Sequence, residues 1–431
     1  MPKKPLKIKY SDLYGLREEK YKFLESHDIK NTDWQELELK EPRYFFVPKD
    51  MKGEEKYGGF LSIKDIFYYF QAGATTGQDK LFIDTDKESL RIRIAMIFNK
   101  VIDDNQLDLS FQLKKSQAGK KLIENRNRVN FDDKLFKFYS YRVFDTRYLY
   151  SENKFLWRSV EELQKQFIRK NMALVMTKSL STLFFRHIFI TENIGDYSFI
   201  SDKTREVNYY FPFNLYESIN KKPIFKSQAR LDLASVQKEL DEYSEDKKSN
   251  IKTEIIQKLS DVYKKRITPE DVFYYIYAVL YSPIYRKKYN EFLKIDFPRI
   301  PFAKNAELFM KLVKLGEELI NLHLLKSEKL ENLSAKFPIT GDSRVKKRQY
   351  DEKSGRIYIN NTQYFEGVAP EIWNYYIGGY QVLDKWLKDR IDKVLSAEDV
   401  NHFLKVITAL KLTVEPQKEI DKLYPEVEKN L

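Results

Sequence analysis

Residues 268–302 constrain the fold more than any other part of the sequence, because they contain start signals for two successive helices. Thr268 is a typical N-cap residue, since its hydroxyl accepts a free backbone N–H, and Pro269 suits the first helical position. Ser282 and Pro283 repeat the signal. The apolar residues between them recur at helical spacing: Val272, Phe273, Ile276, Val279 and Leu280. The pattern predicts two packed helices followed by a proline-punctuated, rigid connector.

The remaining hydrophobic patterns predict an α+β fold. Residues 136–150 alternate as in a strand, and residues 172–176 and 184–190 are typical of buried strands. A strand is also expected at residues 44–47, a helix at 62–72 and a basic loop at 114–128. Helical spacing dominates residues 231–325, where Asn305 caps a third helix, and Ser396 caps the last helix. We therefore predict a mixed α/β region over residues 1–226, a helical domain over 227–333 and a small α/β part over 334–431.

Composition restricts the possible partners and compartments. The chain has 431 residues, a formal net charge of +12 at pH 7 and no cysteine. The basic excess favours a polyanionic partner, and the lack of cysteine excludes disulfides, thiol catalysis and cysteine-ligated zinc. The sequence contains no apolar run of membrane-spanning length, and MPKKPLKIKY lacks the apolar region of a signal peptide. We expect a cytoplasmic protein that does not associate with a membrane.

Motifs for common nucleotide and methyl-transfer chemistry are absent. The sequence contains no G-x-G loop for S-adenosylmethionine, no Pro-Pro motif for a flipped base and no phosphate-binding G-x-x-x-x-G-K-[ST] loop. Its four histidines are scattered, and His323 lies in an apolar helical pattern that indicates a structural role. The sequence thus predicts no catalytic residue, no metal ligand and no cofactor in this chain.

One charged segment leaves an enzymatic alternative open. Asp50, Glu54 and Lys56 lie close together in PKDMKGEEK. Carboxylates that hold a metal beside a lysine are able to hydrolyse phosphodiesters, so a metal-dependent nuclease remains an alternative. A solvated turn explains the same residues, because short charged motifs recur by chance.

Two segments are candidates for contacts with DNA. The small residues of the turn at 73–80 allow a phosphate to approach the backbone, and its side chains supply hydrogen-bond donors. A plain tight turn is the alternative. In the basic segment at 114–128, cations suit phosphates and arginine is able to read guanine, whereas a solvated face is the alternative. The candidate residues are Thr76, Gly77, Gln78, Lys80, Lys114, Lys115, Lys120, Lys121, Arg126 and Arg128.

Two further pairs of cations complete the candidates. Arg142 and Arg147 lie in the aromatic strand pattern, and Arg147 is equally suited to a structural pair with Asp145. Lys346 and Lys347 lie in the basic connector at 344–348 and suit phosphate contact only.

The motifs of this chain resemble the C-terminal specificity domain of type ISP restriction-modification enzymes. The resemblance follows the family's order over nearly the whole chain, although the family often has arginine where this chain has Gln78. The matching segments are IKYSDLYGLREEK (8–20), GATTGQD (73–79), FDTRYLY (144–150), FPFNLY (211–216), residues 268–302, GEELINLHLL (316–325) and WNYYIGGYQVLDKWLKDR (373–390).

The resemblance implies a module that recognises a sequence in double-stranded DNA for a bacterial restriction-modification system. Such a module positions an adenine-specific DNA methyltransferase, and a coupled nuclease, on the target site. S-adenosylmethionine, ATP and magnesium would belong to the methyltransferase, translocase and nuclease parts, which are partners of this chain. The resemblance leaves open whether the chain is a fragment or a separately encoded subunit. A docking scaffold that binds no DNA is the other alternative.

Overall fold

The computed structural model describes residues 7–41, 43–99, 101–203, 206–216 and 247–429. The chain forms two compact units, residues 1–54 and residues 55–431. The predicted boundary at residue 226 lies outside the described residues, and the division at 226 and 333 stays a prediction. In the described part of the chain, we find no helix with the length and apolar character needed to span a bilayer.

The N-terminal unit contains a two-stranded antiparallel sheet and one helix. Strand β1 (Ile8–Tyr10) pairs with β2 (Gln35–Leu37), and helix α1 (Arg17–Ser26) lies between them in sequence. The strand predicted at residues 44–47 is wrong. The N–H of Tyr44 donates to the carbonyl of Lys40 at 2.9 Å, and the φ of Tyr44 is 45°, so the chain turns there instead of extending.

Beyond residue 53, the fold is α+β, as predicted. The helices are α2 (Glu54–Gly58), α3 (Ile63–Ile66), α4 (Asp79–Phe82), α5 (Lys87–Phe98), α6 (Asp104–Phe111), α7 (Gln117–Asn125), α8 (Glu161–Lys165), α9 (Thr253–Tyr263), α10 (Pro269–Tyr281), α11 (Pro283–Lys288), α12 (Asn290–Leu293), α13 (Ala306–His323), α14 (Pro370–Trp373), α15 (Val382–Lys388) and α16 (Ala397–Lys429). The strands are β3 (Leu61–Ser62), β4 (Gln71–Ala72), β5 (Ile83–Asp84), β6 (Phe136–Arg142), β7 (Asp145–Tyr150), β8 (Ala173–Thr177), β9 (Ile188–Thr191), β10 (Asn208–Pro212), β11 (Asn214–Tyr216), β12 (Lys247–Ser249), β13 (Arg299–Ile300), β14 (Gln349–Asp351), β15 (Arg356–Tyr358), β16 (Tyr364–Glu366), β17 (Tyr376–Ile377) and β18 (Tyr380–Gln381).

A four-stranded antiparallel sheet has the strand order β4-β10-β8-β9. All residues of β8 and β9 are buried, which confirms two buried strands, although the second begins at Ile188 and not at residue 184. Tyr209 of β10 lies opposite both Ala72 of β4 and Met176 of β8. Strands β4 and β8 therefore run in the same direction, and the segments that follow them leave the sheet at the same edge.

A second sheet has the order β5-β7-β6 and contains the strand pattern predicted at residues 136–150. Strands β6 and β7 form a hairpin whose register is irregular between Ser140 and Arg142. This hairpin matters for the candidate site, because the hydroxyls of Tyr139 and Tyr141 donate to Ala74 and Asp79 in the turn that follows β4.

Four predicted helix caps are confirmed. The Thr268 hydroxyl accepts the N–H of Asp271 at 3.1 Å, and the Ser282 hydroxyl accepts the N–H of Tyr285 at 3.1 Å. Asn305 caps α13 through the N–H of Leu308 at 2.9 Å, and the Ser396 hydroxyl accepts the N–H of Asp399 at 3.1 Å. Such caps satisfy backbone donors that a helix start leaves free, which is why a local sequence pattern predicts them well.

Three predicted elements differ from the structure. The helix expected at 62–72 ends at Ile66, because Tyr68 donates its N–H to the carbonyl of Asn250 at 2.9 Å and residues 71–72 form β4. The loop expected at 114–128 is mostly helical, since Ser116 caps α7 by accepting the N–H of Gly119 at 3.0 Å. Of the helical region expected at 231–325, residues 231–246 lie outside the described residues, and β12 precedes α9.

His323 has the structural role that its pattern predicts. The buried ring shares hydrogen bonds with the hydroxyl of Tyr277 at 2.8 Å and with that of Thr413 at 3.0 Å. Burial, together with the charge of Arg286, lowers the pKa of His323 to about 3. The folded protein therefore keeps this ring neutral over a pH range in which an ordinary histidine takes up a proton.

We expect His323 to make the free energy of unfolding fall with pH below about 6.5, the ordinary histidine pKa. The unfolded chain binds a proton there and the folded chain does not, so the loss from pH 7 to pH 5 is about 2 kcal/mol. Urea unfolding of the wild type and His323→Gln across this range measures the effect. The variant should show a shallower pH dependence, and parallel curves would contradict the prediction.

Candidate nucleic-acid interface

The turn that follows β4, residues 73–80, is clamped by two other segments. Ala74 donates its N–H to the carbonyl of Gly195 at 2.9 Å. On the other side, Arg158 donates to Thr75 at 3.0 Å and Trp157 donates to Thr76 at 3.2 Å, through main-chain N–H and C=O groups. Backbone pairing on both sides means that the turn has a defined conformation without any ligand.

Side chains inside the turn satisfy one another. The buried Thr76 hydroxyl accepts the N–H of Gln78 at 3.1 Å and donates to the carboxylate of Asp79. The other oxygen of that carboxylate accepts the hydroxyl of Tyr141 at 3.1 Å. Thr76 therefore shapes the turn from within, whereas Gly77 and Lys80 are exposed.

The turn lies directly against the start of α7. Gln78 donates its side-chain amide to the hydroxyl of Ser116, the N-cap of α7, at 2.6 Å. A Cβ at Gly77 would lie 2.5 Å from the Cβ of Ala118 and 3.0 Å from that of Trp157, so only glycine fits this approach. The structure thus brings together two segments that the sequence offered as separate candidates.

The two segments that meet here carry four exposed lysines. The Lys114 ammonium donates to the side-chain oxygen of Asn105 at 2.6 Å, and that of Lys115 donates to Gln112 at 3.4 Å. These acceptors are neutral amides, so the positive charges are not neutralised. Within the described ranges, no carboxylate forms an ion pair with any of the four. We call these residues the basic surface: Lys80, Lys114, Lys115 and Lys120.

Two other cations of the 114–128 segment have internal partners. The ammonium of Lys121 donates to the carbonyls of Leu156 at 2.5 Å and Asn153 at 3.4 Å. Arg126 is buried, with its guanidinium 2.9 Å from the carboxylate of Asp104. Both side chains fasten this segment to its neighbours, while Arg128 is exposed.

Arg142 and Arg147 also have internal partners. Arg142 pairs with Asp196 at 2.9 Å, and Arg147 pairs with Asp145 at 2.6 Å, so the structural alternative for Arg147 is confirmed. Both guanidinium carbons lie 3.9 Å from the ring centroid of Tyr141, which therefore sits between two cations. Tyr141 also donates to Asp79 of the turn. The two arginines therefore contact the turn indirectly, through this tyrosine.

The remaining sequence candidates lie elsewhere in the larger unit. The ammonium of Lys346 is 3.2 Å from the carboxylate of Asp392, and that of Lys347 lies 5.3 Å from the ring centroid of Tyr358. Both partners lie outside the turn and α7, so these two lysines are candidates separate from the basic surface.

The residues of the nuclease alternative have separate partners. The Asp50 carboxylate accepts the N–H of Lys52 at 3.1 Å, as in an ordinary turn. Glu54 pairs with Arg43 at 3.4 Å, and Lys56 pairs with Glu428 at 3.3 Å. Among the described residues, no group of three or more histidine, aspartate or glutamate side chains is placed to hold a metal ion.

Sequence reasoning missed Trp157 and Arg158. Trp157 is 44% exposed and lies beside Gly77, and Arg158 is exposed with its guanidinium carbon 5.3 Å from the ring centroid of Tyr197. An exposed indole at a basic surface is suited to stack on a base or sugar. In the sequence, only the adjacency of a tryptophan and an arginine could have indicated a binding site here. Their backbone pairing with the turn is what places them at the candidate interface.

Gly77→Ala should disrupt this contact. We expect the free energy of unfolding to fall by about 1–3 kcal/mol, because φ is 70° and the added Cβ meets Ala118. Gly53→Ala is the matched control, since Gly53 has φ 83° but no heavy atom within 4 Å of an added Cβ. Urea unfolding and DNA titration of both variants provide the measurement. Equal effects of the two substitutions would show that the contact with Ala118 is unimportant.

Comparison with known proteins supports this fold. A family model described as the Type ISP C-terminal specificity domain matches residues 65–418. Three solved structures resemble the chain: a nuclease-deletion mutant of the Type ISP restriction-modification enzyme LlaGI with a DNA substrate mimic (19% identity, TM-score 0.69), the ATP-dependent Type ISP enzyme LlaBIII bound to DNA (19%, 0.68) and a DrdV–DNA complex (18%, 0.71). They cover 96%, 90% and 93% of this chain, which spans 33%, 25% and 42% of theirs. A search of curated proteins finds no match.

Proposed function

The chain belongs to the Type ISP C-terminal specificity domain family, and on this premise we propose that it recognises a short sequence in double-stranded DNA. The solved relatives of similar fold are described as complexes with DNA or a DNA substrate mimic, and the family is named for specificity. A net charge of +12 is consistent with a polyanionic ligand.

The single observation that carries the proposal is the contact between the turn and α7. It joins two segments that together carry four exposed lysines without a carboxylate partner among the described residues, and Gly77 permits the close contact of the turn with Ala118. The lysines are suited to grip phosphates, which position a protein on a duplex without reading its sequence. Arg128 is exposed three residues beyond the end of α7, and Trp157 is exposed beside the turn. These two side chains are the proposed contacts with bases and sugars.

In the proposed system this chain would place an adenine-specific DNA methyltransferase, and a coupled nuclease, on the target site. The chain spans only 25–42% of the solved relatives, so methyl transfer, ATP use and metal-dependent cleavage are assigned to the parts outside it. Those parts, with S-adenosylmethionine, ATP and magnesium, are its proposed partners. Defence of a bacterial cytoplasm against phage DNA is the corresponding biological role.

Selection of random duplexes by the purified chain, followed by sequencing, tests this function. Moderate salt is needed, because low salt strengthens non-specific phosphate contacts. We expect enrichment of a short motif. Binding without enrichment would show that sequence reading requires the methyltransferase part, and absence of binding to any duplex would favour the docking-scaffold alternative.

Lys120 and Lys121 provide a matched pair of neighbours for this proposal. We expect Lys120→Ala to weaken all duplexes alike and to reduce the slope of log K against log salt by about 0.9, as for one lost phosphate contact. Lys121→Ala should leave that slope unchanged but lower the free energy of unfolding by about 1 kcal/mol, because it loses bonds to main-chain carbonyls. Titrations at several salt concentrations, with urea unfolding, separate the two results. A change of slope at Lys121 alone would contradict this assignment.

A further inference from the structure

The loop between β8 and β9, residues 178–187, presents two adjacent apolar side chains to solvent. Leu183 is 72% exposed and Phe184 is 61% exposed, whereas the next residue, Phe185, is buried. Two neighbouring large apolar side chains on a loop tip expose surface that would ordinarily be buried. Their exposure therefore calls for a reason within the loop itself.

A buried carboxylate fixes one side of this loop. One oxygen of Glu206 accepts the N–H of Ser181 at 2.7 Å, the hydroxyl of Ser181 at 2.7 Å and the N–H of Thr182 at 3.1 Å. The other oxygen accepts the Ser201 hydroxyl and lies 2.9 Å from the ring nitrogen of His187. Burying a carboxylate costs desolvation energy. Here the hydrogen bonds that offset this cost come largely from the loop, so they also fix its conformation.

An asparagine fixes the tip itself. The side chain of Asn290 donates to the carbonyl of Leu183 at 2.9 Å and accepts the N–H of Phe185 at 3.0 Å. Its side chain therefore bonds the residues immediately before and after Phe184. The flanks are held too, because Leu180 donates its N–H to the carbonyl of Lys294 at 3.1 Å. These bonds fix the backbone on both sides of the loop tip, where the side chains of Leu183 and Phe184 are exposed.

The position of the loop relates it to the basic surface. The turn at 73–80 follows β4 and the loop follows β8, and both strands end at the same edge of the sheet, where Ala72 and Met176 lie opposite Tyr209. One strand separates them, which corresponds to about 10 Å. Lys178, the first residue of the loop, is exposed. Lys203 and the acidic Asp202 are also exposed, and they follow Ser201, whose hydroxyl donates to Glu206.

We propose that Leu183 and Phe184 form an apolar wedge that inserts between base pairs of the bound duplex. This inference rests on the proposed function and adds a contact that phosphate binding does not require. Leucine and phenylalanine are among the side chains that proteins insert between base steps, unstacking them and bending the duplex. Two side chains supply far less than the roughly 800 Å² per partner of a stable protein interface, so the base stack fits them better than a protein surface.

The test uses the duplex motif obtained by selection, with 2-aminopurine at successive positions. Binding of the wild-type chain should raise the emission of the probe at one step, because unstacking relieves its quenching. The double variant Leu183→Ala, Phe184→Ala should lose that rise and bind about tenfold more weakly. Its salt slope should equal that of the wild type, because the wedge neutralises no phosphate.

A matched control replaces two exposed apolar residues elsewhere, Val262→Ala and Leu333→Ala, and should behave as the wild type. Circular-dichroism melting verifies that both double variants fold. A second duplex carries a mismatch at the step where the probe responds. Because that step is already partly unstacked, the wild type and the wedge variant should differ less in affinity for this duplex.

Outcomes for the wedge and for the proposed function are distinguishable. If the wild type selects a site but the wedge variant gives the same affinity and emission, the wedge is overturned and DNA recognition stands. The wedge is also overturned if the variant binds DNA as the wild type does but no longer binds a methyltransferase partner. If the wild type selects no site, the proposed function is removed and the wedge with it.

Discussion

Replacement of the four lysines of the basic surface by alanine should abolish most DNA affinity while leaving the fold intact. Each phosphate contact contributes about 0.9 to the slope of log K against log salt, so the quadruple variant at Lys80, Lys114, Lys115 and Lys120 should lose about 3–4 units of slope. Near 0.1 M salt this corresponds to about a 10³-fold weaker complex for every duplex. The side chains are exposed and pair with no described carboxylate, so little stability depends on them.

The matched control for the quadruple variant removes the same charge from helices other than α7. Lys258, Lys265, Lys388 and Lys411 are exposed and lie on or beside helices α9, α15 and α16. Replacing them lowers the net charge by the same amount. Any loss of DNA affinity that the two quadruple variants share therefore reflects overall charge. Fluorescence anisotropy with a labelled duplex at several salt concentrations measures both variants. Equal losses would remove the basic surface as the DNA-binding site.

Asp145→Ala should have the largest effect on stability. The buried Asp145 carboxylate lies 2.6 Å from the guanidinium of Arg147 and 2.9 Å from that of Arg390. Removing the carboxylate leaves the buried Arg390 and the largely buried Arg147 with weaker partners, and breaking a buried ion pair in this way costs about 3–5 kcal/mol. Arg147 also packs against the ring of Tyr141, which donates to Asp79 of the turn. We therefore expect weaker DNA binding as well.

The pH range for this measurement follows from the ionisation of Asp145. Burial alone would raise the pKa of Asp145, but the charges of Arg390 and Arg147 outweigh it and hold the pKa below its ordinary value. The stabilisation is therefore complete above the unfolded-state pKa of about 4 and is lost only as pH falls through the lowered native pKa. Urea unfolding at pH 7 measures the full effect.

The control for Asp145 is Asp133→Ala, which removes an exposed carboxylate paired with Arg91 at 2.9 Å. Water solvates both partners of that pair, so its loss should change stability little. A cost at Asp145 no greater than at Asp133 would contradict the assignment of Asp145 as a buried anchor.

Local patterns predicted the helix starts well, and long-range contacts explain the failures. Thr268, Asn305 and Ser396 cap helices through residues three positions ahead, so the whole interaction lies within a short window of sequence. By contrast, the charge pattern at 114–128 suggested a loop and concealed α7, whose buried Ala118 and Leu122 form a narrow apolar face. The apolar face was visible only once its neighbours were known.

The candidate site divides in the same way. Sequence indicated the turn and the cations, but their roles depend on partners far away in the chain: Gln78 bonds Ser116 across 38 positions, and Arg390 bonds Asp145 across 245. Of the cations proposed for DNA, Lys121, Arg126, Arg142 and Arg147 have partners inside the protein. Charge pattern alone cannot distinguish an exposed cation from one that faces a carboxylate or a carbonyl.

By itself, the sequence determined the capped helix starts, the strand pattern at 136–150, the basic character and the resemblance to the specificity-domain family, because these depend on neighbouring residues and ordered motifs. Only the tertiary structure decided which lysines remain unpaired, that the turn meets α7, and that Leu183 and Phe184 are held in solvent. Those properties arise from burial and hydrogen bonds between segments distant in sequence, which no local pattern specifies.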